Sequence, residues 1–215
     1  MNGFIVSMIS YGFRWGETMD RTTHEKVLDA AAKLFSEKGL AEVSMQEVAK
    51  AGGFDYVEVS ELFGNLEKLY EAVLETQFSL YTARMDAVFY GEQLPIKKIE
   101  LFAKAMYDVH REAPFFFPLY YRELLNPSPY FESIVKKNVQ HVAYLSDNNI
   151  AKGIRQGTFK RAVNPANTTM FLAGMFHYYF LASRLAGVLL PEPTNDEEYL
   201  SQALKIFLSG LKKGG

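Results

Sequence analysis

Apolar residues recur along this chain with a helical period, and no stretch shows the strict alternation of a strand. In "TTHEKVLDAAAKLFSEKGL" (22–40), Val27, Leu28, Ala31, Leu34 and Phe35 share one face, and Gly39 is placed to end the helix. "SMQEVAKAGG" (44–53) follows, with Ser44 and Glu47 spaced as a capping box and Met45, Val48 and Ala49 as an inward stripe. Gly52–Gly53 make a turn. Asp55 then caps a third, short helix, with Glu58 at the capping-box position and Phe54, Val59, Leu62 and Phe63 as its buried stripe. Asn65 caps a fourth helix that meets no breaker until about Tyr90.

Proline, glycine and asparagine punctuate the remainder. Helices are predicted over 95–112, over the aromatic "PFFFPLYYRELL" to about Asn126-Pro127, and over 129–156, 165–188 and 195–212. The last has Thr194 or Asn195 as cap, three carboxylates in its first turn and Lys212 and Lys213 at its end, an order that suits the helix dipole. The chain therefore predicts an all-α protein of about nine helices. A helix-turn-helix head occupies 21–66, and the fourth helix, starting at 66, leads into a helical domain over 67–215. Residues 1–20 are apolar and aromatic without the cationic start of a secretory signal, and predict an N-terminal extension, with a packed or membrane-touching arm as the lesser alternative; Met19 is an alternative natural start, and no membrane partner is expected.

Composition narrows the chemistry. With no cysteine there is no disulfide, thiolate metal site or cysteine nucleophile, which suits a cytoplasmic location. His24, His110, His141 and His177 are too scattered to nucleate a metal site, and read as core-edge or surface residues. No Ser/His/Asp order, nucleotide loop or cofactor motif is present, so an enzyme is not expected. The charge is unevenly spread: residues 21–75 hold six Lys or Arg against eleven Asp or Glu, whereas residues 76–215 hold sixteen against twelve. That sign is opposite to the one a polyanion-binding head would carry.

"VLDAAAKLFSEKGLAEVSMQEVAKAGG" followed by Phe54, then Val59, Leu62, Phe63 and "EKLYEAVL", resembles the head of the tetracycline-repressor (TetR) family of bacterial transcription regulators. "IRQGTF" (154–159) before a long apolar helix is similar to that family's entry into its dimerisation helices. The resemblance implies a homodimer that binds double-stranded operator DNA and holds a small effector in its C-terminal domain. It implies DNA contacts from Ser44, Gln46, Lys50, Asp55, Tyr56, Val57, Glu58, Ser60, Glu61 and Lys68. The pattern departs from the family where the reading helix opens. A small polar residue, a Lys and a Gly are usual there, with a Lys starting the fourth helix; here stand Asp55, Tyr56, Val57 and, at the fourth helix, Leu66.

Carboxylates on a reading face repel phosphate, although Glu can accept from cytosine N4 in the major groove. An alternative function follows: a ligand- or protein-binding dimer whose acidic head docks a basic partner and binds little DNA. In the second domain, aromatic and Met residues crowd together, and Phe102, Met106, His110, Phe117, Tyr121, Tyr144 and His177 are the expected ligand pocket. Helices 165–188 and 195–212 are the expected dimer interface. The first offers small residues such as Ala173, Gly174, Ala182, Ser183, Ala186 and Gly187, the second Leu200, Leu204, Phe207, Leu208 and Leu211. The apolar run 168–190 has the length of a membrane span, but His177 and Arg184 within it argue against one.

Overall fold

The structure is a computed structural model that describes residues 22–182 and 195–213. The expectations for residues 1–20, for Met19 as the start, and for Ser183, Ala186 and Gly187 lie outside the described residues. Helix α1 spans Thr23–Lys38, α2 Met45–Gly52, α3 Tyr56–Phe63 and α4 Leu66–Phe89. Then come α5 (Pro95–Glu112), α6 (Phe116–Leu125), α7 (Lys137–Arg155), α8 (Pro165–Ala182) and α9 (Asp196–Leu211). A π-helical turn, Phe131–Lys136, leads into α7. No strand forms among the described residues; a lone antiparallel bridge joins Phe159 to Lys212. The all-α expectation is met, and the helix boundaries that fall among the described residues agree within a few residues, the helix expected over 129–156 opening as a π-helical turn.

Local chemistry sets the starts and stops. Thr22 and Glu25 close a capping box on α1, and Ser44 and Glu47 close one on α2. Gly53 ends α2 in the left-handed conformation, φ 76°, which a side chain would strain. Asp55 Oδ1 accepts from the Val57 N–H at 2.7 Å. The capping box expected at Glu58 does not form: Asp55 reaches the second helical residue, and no hydrogen bond to Glu58 joins it. Asn65 caps α4 through the Lys68 N–H, and Asn195, one of the two caps expected, caps α9 through the Glu198 N–H.

The head closes around Phe35, Val27, Val48 and Val59, each fully buried. Burying one such side chain contributes about 1.5–3 kcal/mol relative to leaving it in water. Phe54 is half-buried against this core, but Leu62 is 43% exposed, contrary to the predicted stripe. Val59 and Phe63 face inward one turn apart, which turns Leu62 sideways. The body stacks α4, α5, α7 and α8 against one another, with α9 on α5 and α8. Leu200, Leu208 and Leu211 pack into this protomer's own core and are not free for an interface. No helix among the described residues is long and apolar enough to cross a membrane.

Candidate functional site

Two arrangements stand out: the outer face of α3, and an aromatic cluster where α5, α6 and α8 meet. The tight turn at Gly53 sets α3 across the end of α2, with Val59 and Phe63 anchoring it. Its outward groups are Tyr56 (45% exposed), Val57 (59%), Glu58 and Glu61. Asp55 is exposed too, although one carboxylate oxygen is engaged by the backbone. No cation pairs with Asp55, Glu58 or Glu61 among the described residues. Gln46 and Lys50 of α2 and Lys68 of α4 are exposed beside them, and Ser60 is half-buried. The Ser44 hydroxyl accepts from the Glu47 N–H and donates to the Glu47 carboxylate. The Lys38 ammonium binds the other oxygen of Glu47 at 2.9 Å, lowering the Glu47 pKa and raising that of Lys38. The face is thus poor in cations and rich in acceptors.

The cluster in the body centres on Phe117. His177 meets its ring edge-on at 5.3 Å, Phe180 lies at 5.2 Å and Tyr121 at 6.1 Å. His110 stacks on Phe180 at 4.2 Å. The Tyr121 hydroxyl lies 3.2 Å from His177 Nδ1 and 2.9 Å from the His177 carbonyl oxygen. Both contacts are satisfied at once when Nδ1 carries a proton and donates to the hydroxyl, which in turn donates to the carbonyl. Burial lowers the His177 pKa to about 4 and raises that of the Tyr121 hydroxyl. Burial also lowers His110, against the opposing pull of Asp196. The result is a neutral, mostly apolar surface with a few polar atoms, the composition that holds flat or apolar ligands.

Helix α6 joins the two arrangements. Phe117, Tyr120 and Tyr121 face the cluster, the next residue grips the head, and the one after it ties α6 to α4. Arg122 donates to the Ser36 carbonyl at 2.8 Å and to the Glu37 carbonyl, filling orphan acceptors at the end of α1. Glu123, 1% exposed, accepts from the Tyr70 hydroxyl of α4 at 2.6 Å and from the backbone and hydroxyl of Ser128. Burial first, then this carboxylate, raises the Tyr70 pKa.

Residues 27–73 match the family described as bacterial regulatory proteins, tetR family. Over that stretch the head is similar to the TetR family. The whole fold is similar to solved regulators. The ketosteroid transcriptional regulator KstR2 of Mycobacterium tuberculosis is 18% identical, with a TM-score of 0.76 over 91% of this chain and 98% of that one. The TetR-family regulator PfmR of Thermus thermophilus is 22% identical, with a TM-score of 0.73 over 90% and 100%. AibR, solved with isovaleryl coenzyme A and operator DNA, is 16% identical, with a TM-score of 0.71 over 85% and 96%. At these identities the likeness is one of fold. Among curated proteins no sequence matches.

Of the residues expected at DNA, Gln46, Lys50, Tyr56, Val57, Glu58, Glu61 and Lys68 are exposed and Ser60 is half-buried, while the Ser44 and Asp55 side chains are engaged in capping. In the body, His110, Phe117, Tyr121 and His177 come together. Phe102 and Met106 are buried further along α5, with Phe102 6.4 Å from Phe176. Tyr144 does not belong: it is 66% exposed on α7 and has no ring contact with the cluster among the described residues. Phe180 and Tyr120 do belong, and helical spacing carried the signal. Phe180 is three residues after His177, and Tyr120 three after Phe117.

Proposed function

We propose that the protein is a homodimeric transcriptional regulator, a repressor released from its operator by a small, largely apolar or aromatic effector. The observation that carries this is an exposed α3 set on a tight turn within a TetR-family head. Two such helices in a dimer, about one DNA turn or ~34 Å apart, read successive major grooves. Glu58 and Glu61 accept from cytosine N4, Tyr56 and Ser60 contact bases or phosphates, and Gln46, Lys50 and Lys68 hold the backbone. The dimer forms through α8 and α9. An exposed stripe of Met170, Phe171, Tyr178 and Leu181 along α8, with Ile206 of α9, supports this. The effector sits at His110, Phe117, Tyr121 and His177. The adjacency of Tyr121 to Arg122 and Glu123 supports a route from that cluster to the head, and AibR's pairing of an acyl-coenzyme A with operator DNA supports the general scheme.

A second reading has one observation in its favour. The unpaired carboxylates of α3 equally suit docking of a basic protein partner, with little DNA binding. Salt titration of duplex binding, after selection of fragments from genomic DNA, separates the two. The regulator binds a selected fragment with a slope of log K against log salt of about −4, from Lys50 and Lys68 of each protomer. Failure to retain any duplex at low salt would remove the first reading and leave the second.

A further inference from the structure

Charge is polarised along the molecule. No Asp or Glu occurs between residues 148 and 182, nor between 199 and 213. The two stretches meet where the loop after α7 runs beside the end of α9. There Phe159 bridges to Lys212, the Lys160 N–H donates to the Leu211 carbonyl at 3.0 Å, and the Lys213 N–H donates to the Thr158 carbonyl at 3.2 Å. Lys152 and Arg155 in the last turn of α7, Lys160 and Arg161 in the loop, and Lys212 and Lys213 after α9 are thereby gathered, all of them exposed. None pairs with a carboxylate among the described residues; the Lys160 ammonium instead binds the Gly210 carbonyl at 2.7 Å. Cations suit helix C-termini, but dipole complementation leaves this group facing itself with no counter-charge.

This basic pole lies far from the head. Lys98, buried near the start of α5, donates to the Phe89 carbonyl at the end of α4. Burial first, then the nearby Lys152 charge, lowers the Lys98 pKa. The Asn149 amide donates to the Pro95 carbonyl at 2.9 Å and ties α7 to the same end. Helix α4 starts in the head and runs 24 residues, a length of about 36 Å at ~1.5 Å per residue. At its other end α3 shows Asp55, Glu58 and Glu61, exposed and paired with no cation among the described residues. Lys50 and Lys68 flank that face, so the anionic surface is α3 itself rather than the whole head.

We propose that the basic pole docks the acidic α3 face of a second copy of this chain, head to tail. The length of α4 keeps the two surfaces of one copy apart, so the contact joins different copies. A net charge of only −2 adds little overall repulsion between them. The attraction reaches ~30 Å at ~0.01 M salt and ~3 Å at ~1 M. Such a contact is heterologous: each docked copy leaves its other end open, so association adds copies instead of closing. It is separate from the two-fold interface proposed through α8 and α9. It gives the acidic face a partner whether or not that face also binds DNA, and a head held in this way is covered.

The test is sedimentation velocity on the full chain at ~0.01 M and ~1 M salt, without DNA or effector, over a protein concentration series. The high-salt mass sets the baseline assembly. At low salt the weight-average mass is expected to rise with concentration to at least about twice that baseline, and to fall back when salt is added. Glu58→Lys with Glu61→Lys should hold the protein at the baseline mass with helicity unchanged, and so should Arg161→Glu with Lys213→Glu. Mixing these two variants should restore association, because the reversed head then fits the reversed pole. A mass that stays at baseline in low salt overturns the proposal. So does association that survives either pair of reversals, or a mixture that stays unassociated. A random duplex held by unassociated protein, and released by Arg161→Glu with Lys213→Glu, also overturns it and assigns the pole to nucleic acid. No operator enters the sedimentation runs, so failure here and failure of the regulator reading are separate results.

Discussion

His177 offers the sharpest test of the body's packing. Its folded-state pKa is about 4 against an ordinary 6.5, and burial is the cause. Between those values the unfolded chain takes up a proton that the folded chain refuses, so stability falls as pH drops. Linkage puts the loss at about 2 kcal/mol near pH ~5 and about 3 kcal/mol near pH ~4, relative to neutrality. His177→Gln removes the titration while keeping a polar side chain beside Tyr121. Urea unfolding followed by far-ultraviolet circular dichroism, at one protomer concentration, gives the stability of both proteins across pH. The variant is expected to be less stable at neutral pH, and the gap should close by about 2 kcal/mol on acidification. Other carboxylates, and His110, which burial shifts in the same direction, titrate in both proteins and cancel. Two profiles that stay parallel from pH ~7 to ~4.5 would refute the assignment of a buried, neutral imidazole.

Three further outcomes are expected. Tyr70→Phe deletes a buried bond to the Glu123 carboxylate and should lower unfolding stability by about 1.5–3 kcal/mol; an unchanged urea midpoint would show that the bond contributes nothing. Gly153→Ala places a methyl 2.1 Å from the Phe159 ring, and should cost about 1–3 kcal/mol through overpacking, read as a lowered melting temperature. Phe171→Glu on the exposed α8 stripe should yield a monomer in analytical ultracentrifugation with helicity intact, and a variant that still dimerises would move the interface elsewhere.

Much of this fold was legible because its signals are local. Capping residues such as Ser44 and Asn65, and breakers such as Gly53 and Pro127, act within a few residues of where they are read. The head was further marked by its resemblance to a known family. The errors came where a pattern has two physical solutions. A helix packed on one side leaves flanking apolar residues in water, so the period that buries Val59 and Phe63 exposes Leu62. Tyr144 faces out for the same reason. Glu58 had the spacing of a capping box, but the reach of Asp55 to Val57 settled the helix start without it. The grip of Arg122 on the end of α1 carried no signal at all. It joins residues 86 and 85 positions apart, and only tertiary packing brings them together.

On the DNA-binding reading proposed above, the shortage of cations on α3 bears on how such a protein is shared out along a chromosome. Most proteins with this task are held for much of their time by irrelevant sequence, because lysine and arginine are drawn to any phosphate. A head with acceptors in their place leaves that bulk largely unvisited, so occupancy at a true target depends less on competition from the rest of the genome. Few molecules per cell would then suffice, and the search would proceed by repeated encounters from solution rather than by sliding along the double helix.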